Sequence, residues 1–123
     1  MTRTVTIQNR TTPLAAPIRA QKCTDFWSKF RGLMLQKSIP LDGGAFLAED
    51  KNSRMNASIH MLFMRFDIAA IWIDSEMSVV DVQVARRWRL AYLPAKPARY
   101  ILEAHVSQAE HFKIGDQVTF TYD

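Results

Sequence analysis

His60, Arg65 and Asp67 fall within one short segment, immediately before the apolar run Ile68-Ala-Ala-Ile-Trp-Ile73. A guanidinium offers a planar fork of donors, a carboxylate accepts, and an imidazole titrates near neutrality, so the three together can grip and orient a small polar or anionic molecule. Read as one extended segment, residues 65–73 project Arg65 and Asp67 to the same side, because side chains two apart on a strand share a face. Phe66 and Trp72 are then expected to shape an apolar wall beside them. A plainer reading stays open, in which Arg65 and Asp67 pair with each other at a sheet rim and His60 bonds to backbone. No serine or cysteine is placed by sequence as a nucleophile for His60. A hydrolase-like enzyme using His60 is therefore only an alternative, and no catalytic residue is assigned.

A second constellation is the basic run Arg86-Arg87-Trp88-Arg89, followed by Tyr92, Lys96 and Arg99. Guanidinium groups contact phosphates and aromatic rings stack on unpaired bases, so this loop supports single-stranded nucleic-acid binding as an alternative function. The competing expectation is a solvated hairpin end with Trp88 folded onto the core. The single cysteine, Cys23, precedes an expected helix start, a location that can lower a thiol pKa, but a buried inert cysteine reads more simply. Asp81, Glu103 and Asp116 would form a carboxylate cluster only if folding gathered them, and Glu103 has Arg99 or Arg65 as possible partners. The histidines at 60, 105 and 111 show no metal-ligand spacing, so neither metal nor cofactor is expected.

These groups must be positioned by short strands. Thr4–Ile7 alternates with period two, Ile18–Cys23 reads as a second strand, and Ala45–Ala48 as a third. Ile68–Ile73 lacks polar alternation and predicts a strand buried on both faces. Asp74-Ser75-Glu76 turns it into a returning strand from Val79, with Val80, Val82 and Val84 on one face. Tyr100–Leu102 and Val118–Tyr122 complete the set. Phe26, Trp27, Phe30, Leu33 and Met34 make one apolar stripe at helical spacing behind the capping residues Thr24 and Asp25, predicting an amphipathic helix over about residues 25–35. Ser107–Phe112 reads as a short helical turn, and Glu49–Asn56 as a mobile polar connection able to serve as a lid. The expected fold is α+β, mainly β: a small barrel or folded-over antiparallel sheet carrying one helix.

With 123 residues, 48% hydrophobic and 23% charged, the chain fits a single globular domain able to bury a core without staples. The N-terminal MTRTVTIQNR lacks the apolar centre of a signal peptide, and no later run has membrane-spanning length. The expectations are a cytoplasmic location and no membrane partner. A net charge of +4 weakly favours anionic partners.

Four motifs, taken in order, resemble the bacterial and archaeal family called domain of unknown function 192. They are Arg31-Gly-Leu-Met34, Gly43-x-x-Phe46, the block Ile59, His60, Met64, Arg65, Phe66 and Ile68, and the closing pairs Leu102-Glu103 and Gly115-Asp116. The resemblance implies a mainly β fold and no established activity. The chain departs from the family pattern at Ala69, where the pattern has aspartate, and at Asp67, where it has proline. Met61 replaces a threonine, and Phe63, Met77 and Ser107 stand where the pattern has glycine.

Overall fold

The computed structural model of the protein describes residues 4–23, 33–34 and 36–122. Among these, seven strands form one sheet: β1 Thr4–Asn9, β2 Ile18–Cys23, β3 Gly44–Ser53, β4 Ile68–Ile73, β5 Val79–Ala85, β6 Ala98–His105 and β7 Val118–Tyr122. Their order across the sheet is β5-β4-β6-β3-β2-β1-β7. The first and last strands therefore pair, with Val5 opposite Tyr122 and Asn9 opposite Val118.

The sheet curls into a half-barrel. Tyr100 on β6 and Phe120 on β7 are separated by three intervening strands, yet their ring centroids lie 5.0 Å apart. At one end the sheet edges meet directly: Val79 donates to the Asp116 carbonyl (2.9 Å), Val118 to that of Met77 (3.0 Å), and the Gln117 and Ser78 side chains hydrogen-bond. Alternation along each strand then sends one set of side chains inward and the other outward. Val5, Ile7, Ile18, Phe46, Ile71, Leu102 and their neighbours fill the interior. Cys23, Leu47, Ile68, Trp72 and Ile101 form a second core outside the sheet, covered by residues including Leu33, Ile39, Ala57, Ile59, Met61 and Met64. Lying between two cores is why β4 has no polar alternation, and all six of its residues are buried.

The hairpin after β4 forms as the turn residues predict. The Asp74 carboxylate accepts from the backbone of Glu76 and Ser78, and Met77 takes a left-handed φ of 68°. The expected helical turn is a 3-10 helix, Val106–His111, packed against β4, β5 and β6, with the His105 ring capping Ser107 N.

Four expectations are corrected or fall elsewhere. The sheet is mixed rather than wholly antiparallel, since β2 and β3 run parallel, Cys23 opposite Leu47. The long connection between them, residues 24–43, has the length such a crossover requires. The amphipathic helix lies almost entirely outside the described residues; of its stripe, Leu33 and Met34 are described and sit in a turn, Leu33 buried. Glu49–Asn56 is not a free connection, because β3 continues through Ser53. The valines of β5 do not share one face: the register shifts between Trp72–Asp81 and Ile73–Val79, so Val80 enters the outer core whereas Val82 packs against the interior one.

Candidate functional site

The segment before β4 turns rather than extends. Phe63 has a left-handed φ of 60°, the Met61 carbonyl accepts from Met64 N (3.2 Å), and β4 begins only at Ile68. Arg65 consequently sits exposed in a bend, and the prediction that Arg65 and Asp67 project from one strand face is overturned, because alternation needs a continuous extended backbone. Nor do they pair. The Asp67 carboxylate accepts from Arg87 N at 2.9 Å and lies 3.9 Å from the Arg86 guanidinium. Its partners are the basic run, twenty residues further on.

The two candidate segments are thus one structure. Ile59 and Tyr92 exchange backbone bonds of 3.0 and 2.9 Å, Met61 N donates to Arg89 O (2.9 Å), and Trp88 N donates to Met61 O (2.7 Å). Further back, the Arg54 side chain reaches Pro94 O at 2.9 Å. Both loops are tied to the sheet beneath. The Trp72 indole donates to Ala57 O (2.7 Å), Gln83 donates to Leu93 O (2.9 Å), and Asp81 accepts from Ala95 N (2.8 Å). Trp72 is wholly buried, so it anchors the loops from below and is not a wall that a ligand could touch. Phe66 is half-buried against the outer core, and His60 is half-buried between the two residues that pair with the basic loop.

Charge is concentrated here. Residues 54–67 and 86–97 hold six of the sixteen Lys and Arg residues (Arg54, Arg65, Arg86, Arg87, Arg89, Lys96) and one of the twelve acids, Asp67. The pair of loops carries +5, and the remainder of the chain −1. Arg65, Arg86, Arg87 and Arg89 are all exposed. Sequence reading missed Phe63, which stands among them. It is 47% exposed and packs edge to face on Trp88, which is 57% exposed and not folded onto the core. The signal was an aromatic residue where the family pattern has glycine.

The remaining candidates are separated by their partners. Asp116 belongs to a buried network with Asn9, whose amide donates to it (2.8 Å) and to His111 O (3.0 Å), while Lys113 N donates to the same carboxylate. That network closes the turn at Gly115, a structural role. Glu103 pairs with neither Arg99 nor Arg65. Arg99 donates to Glu49 O (3.0 Å), whereas Glu103 lies buried on β6 between Ala45 and Ala70, and burial pushes its carboxyl from 4.5 up to about 8. Cys23 is buried in the outer core. Among the described residues no three His, Cys, Asp or Glu side chains are grouped to hold a metal ion, and no helix is long and apolar enough to cross a membrane.

The family model DUF192, described as "Uncharacterized ACR", matches residues 5–120. The chain belongs to the DUF192 family. Its relatives include UPF0127 proteins of Thermococcus kodakarensis, 42% identical over 98 residues (78% of this chain, 60% of that protein), and of Thermococcus gammatolerans, 46% identical over 81 residues (66% and 51%). The matched chain thus spans little more than half the length of these two. A Pyrococcus furiosus UPF0127 protein is 34% identical over 110 residues, 82% of this chain and 85% of its own. The DUF192 fold recurs in a crystal structure of a Sinorhizobium meliloti protein named as a putative transcription regulator, with TM-score 0.82, 13% identity, and coverage of 98% of this chain and 94% of that one. It recurs also in a Novosphingobium aromaticivorans protein of unknown function, with TM-score 0.79, 16% identity and coverage of 94% and 83%. At these identities the likeness concerns the fold.

Proposed function

We propose that this DUF192 domain is a non-catalytic binding module for a small polar or anionic ligand, taken up at the rim where residues 60–67 meet residues 86–89. The observation that carries the reading is the charge distribution: the two zipped loops hold more than the whole positive excess of the chain, with four arginines exposed around one carboxylate. Asp67 works as an internal brace. By accepting from Arg87 N and facing Arg86, it fixes the backbone from which the guanidinium groups project, which lowers the ordering cost of gripping an anion. His60, between Ile59 and Met61, is held in place by the same backbone pairing.

The test is thermal denaturation at low ionic strength with inorganic phosphate, tripolyphosphate and citrate. A bound anion at about 100 times its dissociation constant stabilises the native state by about 2.7 kcal/mol. The shift is expected to disappear in the Arg65→Ala/Arg87→Ala double variant, whose unliganded melting temperature stays near that of the parent because both side chains are exposed. No shift with any of the three anions, or a shift that survives the double variant, sinks the reading.

A further inference from the structure

Phe63 and Trp88 share an uncommon property: both are non-glycine residues with left-handed backbone, φ 60° and 69°. Bulky side chains rarely adopt this conformation, and it persists only where surrounding contacts impose it. Those contacts are present. Met61 O accepts from both Met64 N (3.2 Å) and Trp88 N (2.7 Å), Met61 N donates to Arg89 O (2.9 Å), and Asp67 holds Arg87 N (2.9 Å). The outcome is two rings on separate loops, 5.3 Å apart and inclined at 61°, each about half exposed. An edge-to-face pair satisfies one face of one ring and leaves other ring surface open. On either side in sequence stand Arg65, Arg87 and Arg89, all exposed.

Resting on the anion-binding reading above, we propose that the partner is single-stranded nucleic acid, with Phe63 and Trp88 as the stacking platform for unpaired bases and Arg65, Arg86, Arg87 and Arg89 as its phosphate contacts. A ligand recognised by charge alone has no use for two rings held in a fixed mutual orientation. Insertion into a lipid surface would use apolar area but needs no such orientation, and an acidic peptide supplies charge without a π face. Bases joined by phosphates supply both, and stacking tolerates any base because each has a flat face. Phe63 is the residue that makes this a platform rather than a lone exposed tryptophan.

The experiment measures fluorescence anisotropy of labelled oligo(dT) of about 12 nucleotides, within the usual site size of small single-strand binders, against inorganic polyphosphate as competitor. The full chain is compared with Phe63→Gly and Trp88→Gly, which remove the rings while suiting the left-handed backbone, and melting curves confirm that each variant folds. Oligonucleotide affinity is expected to fall about tenfold or more in each variant, with polyphosphate affinity unchanged. Four phosphate contacts further predict that affinity falls with salt at a log–log slope of about −3. Oligonucleotide bound no better than polyphosphate, with no loss in either glycine variant, overturns the platform and leaves the anion reading standing. Failure of every anion to bind at low salt overturns both. Binding of the chain to vesicles of phosphatidylserine, lost in the glycine variants and unaccompanied by oligonucleotide binding, overturns the proposal in favour of a lipid surface.

Discussion

The interior of the half-barrel and the layer packed outside it are both buried, yet they are built from different material. Inside, the walls are mostly strand, with Phe112 added from beyond the 3-10 helix: Val5, Ile7, Ile18, Phe46, Ile71 and Leu102 meet as alternate residues of neighbouring strands, and Phe46, Tyr100 and Phe120 form a ring cluster across the curl. Outside, one wall is the sheet and the other is loop, fastened by individual bonds such as Trp72 to Ala57 O. The outer layer is also where Glu103 is buried, between two alanines whose methyl groups offer it no hydrogen bond. The interior sets the fold, and Glu103 sits beneath the outer layer, where one wall is loop.

Three experiments sharpen or break that contrast. The largest effect is expected inside: Phe46→Ala removes the fully buried ring of the cluster and should cost about 3–5 kcal/mol, read by chemical denaturation. A loss below about 1 kcal/mol would mean that the interior is no more critical than the surface. Next comes Glu103. Its carboxyl is raised from 4.5 to about 8 by burial, so the native state holds a proton that the unfolded chain releases. The stability tied to that proton is full below about 4.5 and lost as pH rises through 8, at about 1.4 kcal/mol per pH unit between the two. Denaturation of the parent should show this decline and Glu103→Gln should flatten it; parallel curves would refute the assignment. The smallest effect is Trp72→Phe, which keeps most of the buried ring but drops the bond to Ala57. A cost of about 1 kcal/mol is expected, with hydrogen exchange accelerated in residues 54–67 and unchanged in β1 and β7. Uniform acceleration would show that the loops are not separately fastened.

What was legible in the sequence follows the range of the forces involved. Ile68–Ile73 was readable to the residue because burial on both faces leaves six apolar side chains in a row. The hairpin was readable because Asp74 bonds its own near neighbours. The site was read only in pieces. His60, Arg65 and Asp67 lie close in sequence, as do Arg86 to Arg89, but the bond from Arg87 N to Asp67 spans twenty residues and leaves no local trace. Reading residues 65–67 as strand failed because a left-handed Phe63 is not what composition suggests. The bulge that parts Val80 from Val82 likewise depends on the facing strand, and the burial of Glu103 on what covers it.

The pairing of β1 with β7 governs when the molecule can come into being. A chain leaving the ribosome has made Val5 long before Tyr122, its eventual neighbour, so one flank of β1 stays without a partner until β7 has been made. Contacts of such long sequence separation close slowly. For this protein the cooperative step therefore waits for β7 to emerge, and during that interval the hydrophobic strands made first are the ones most in need of shelter.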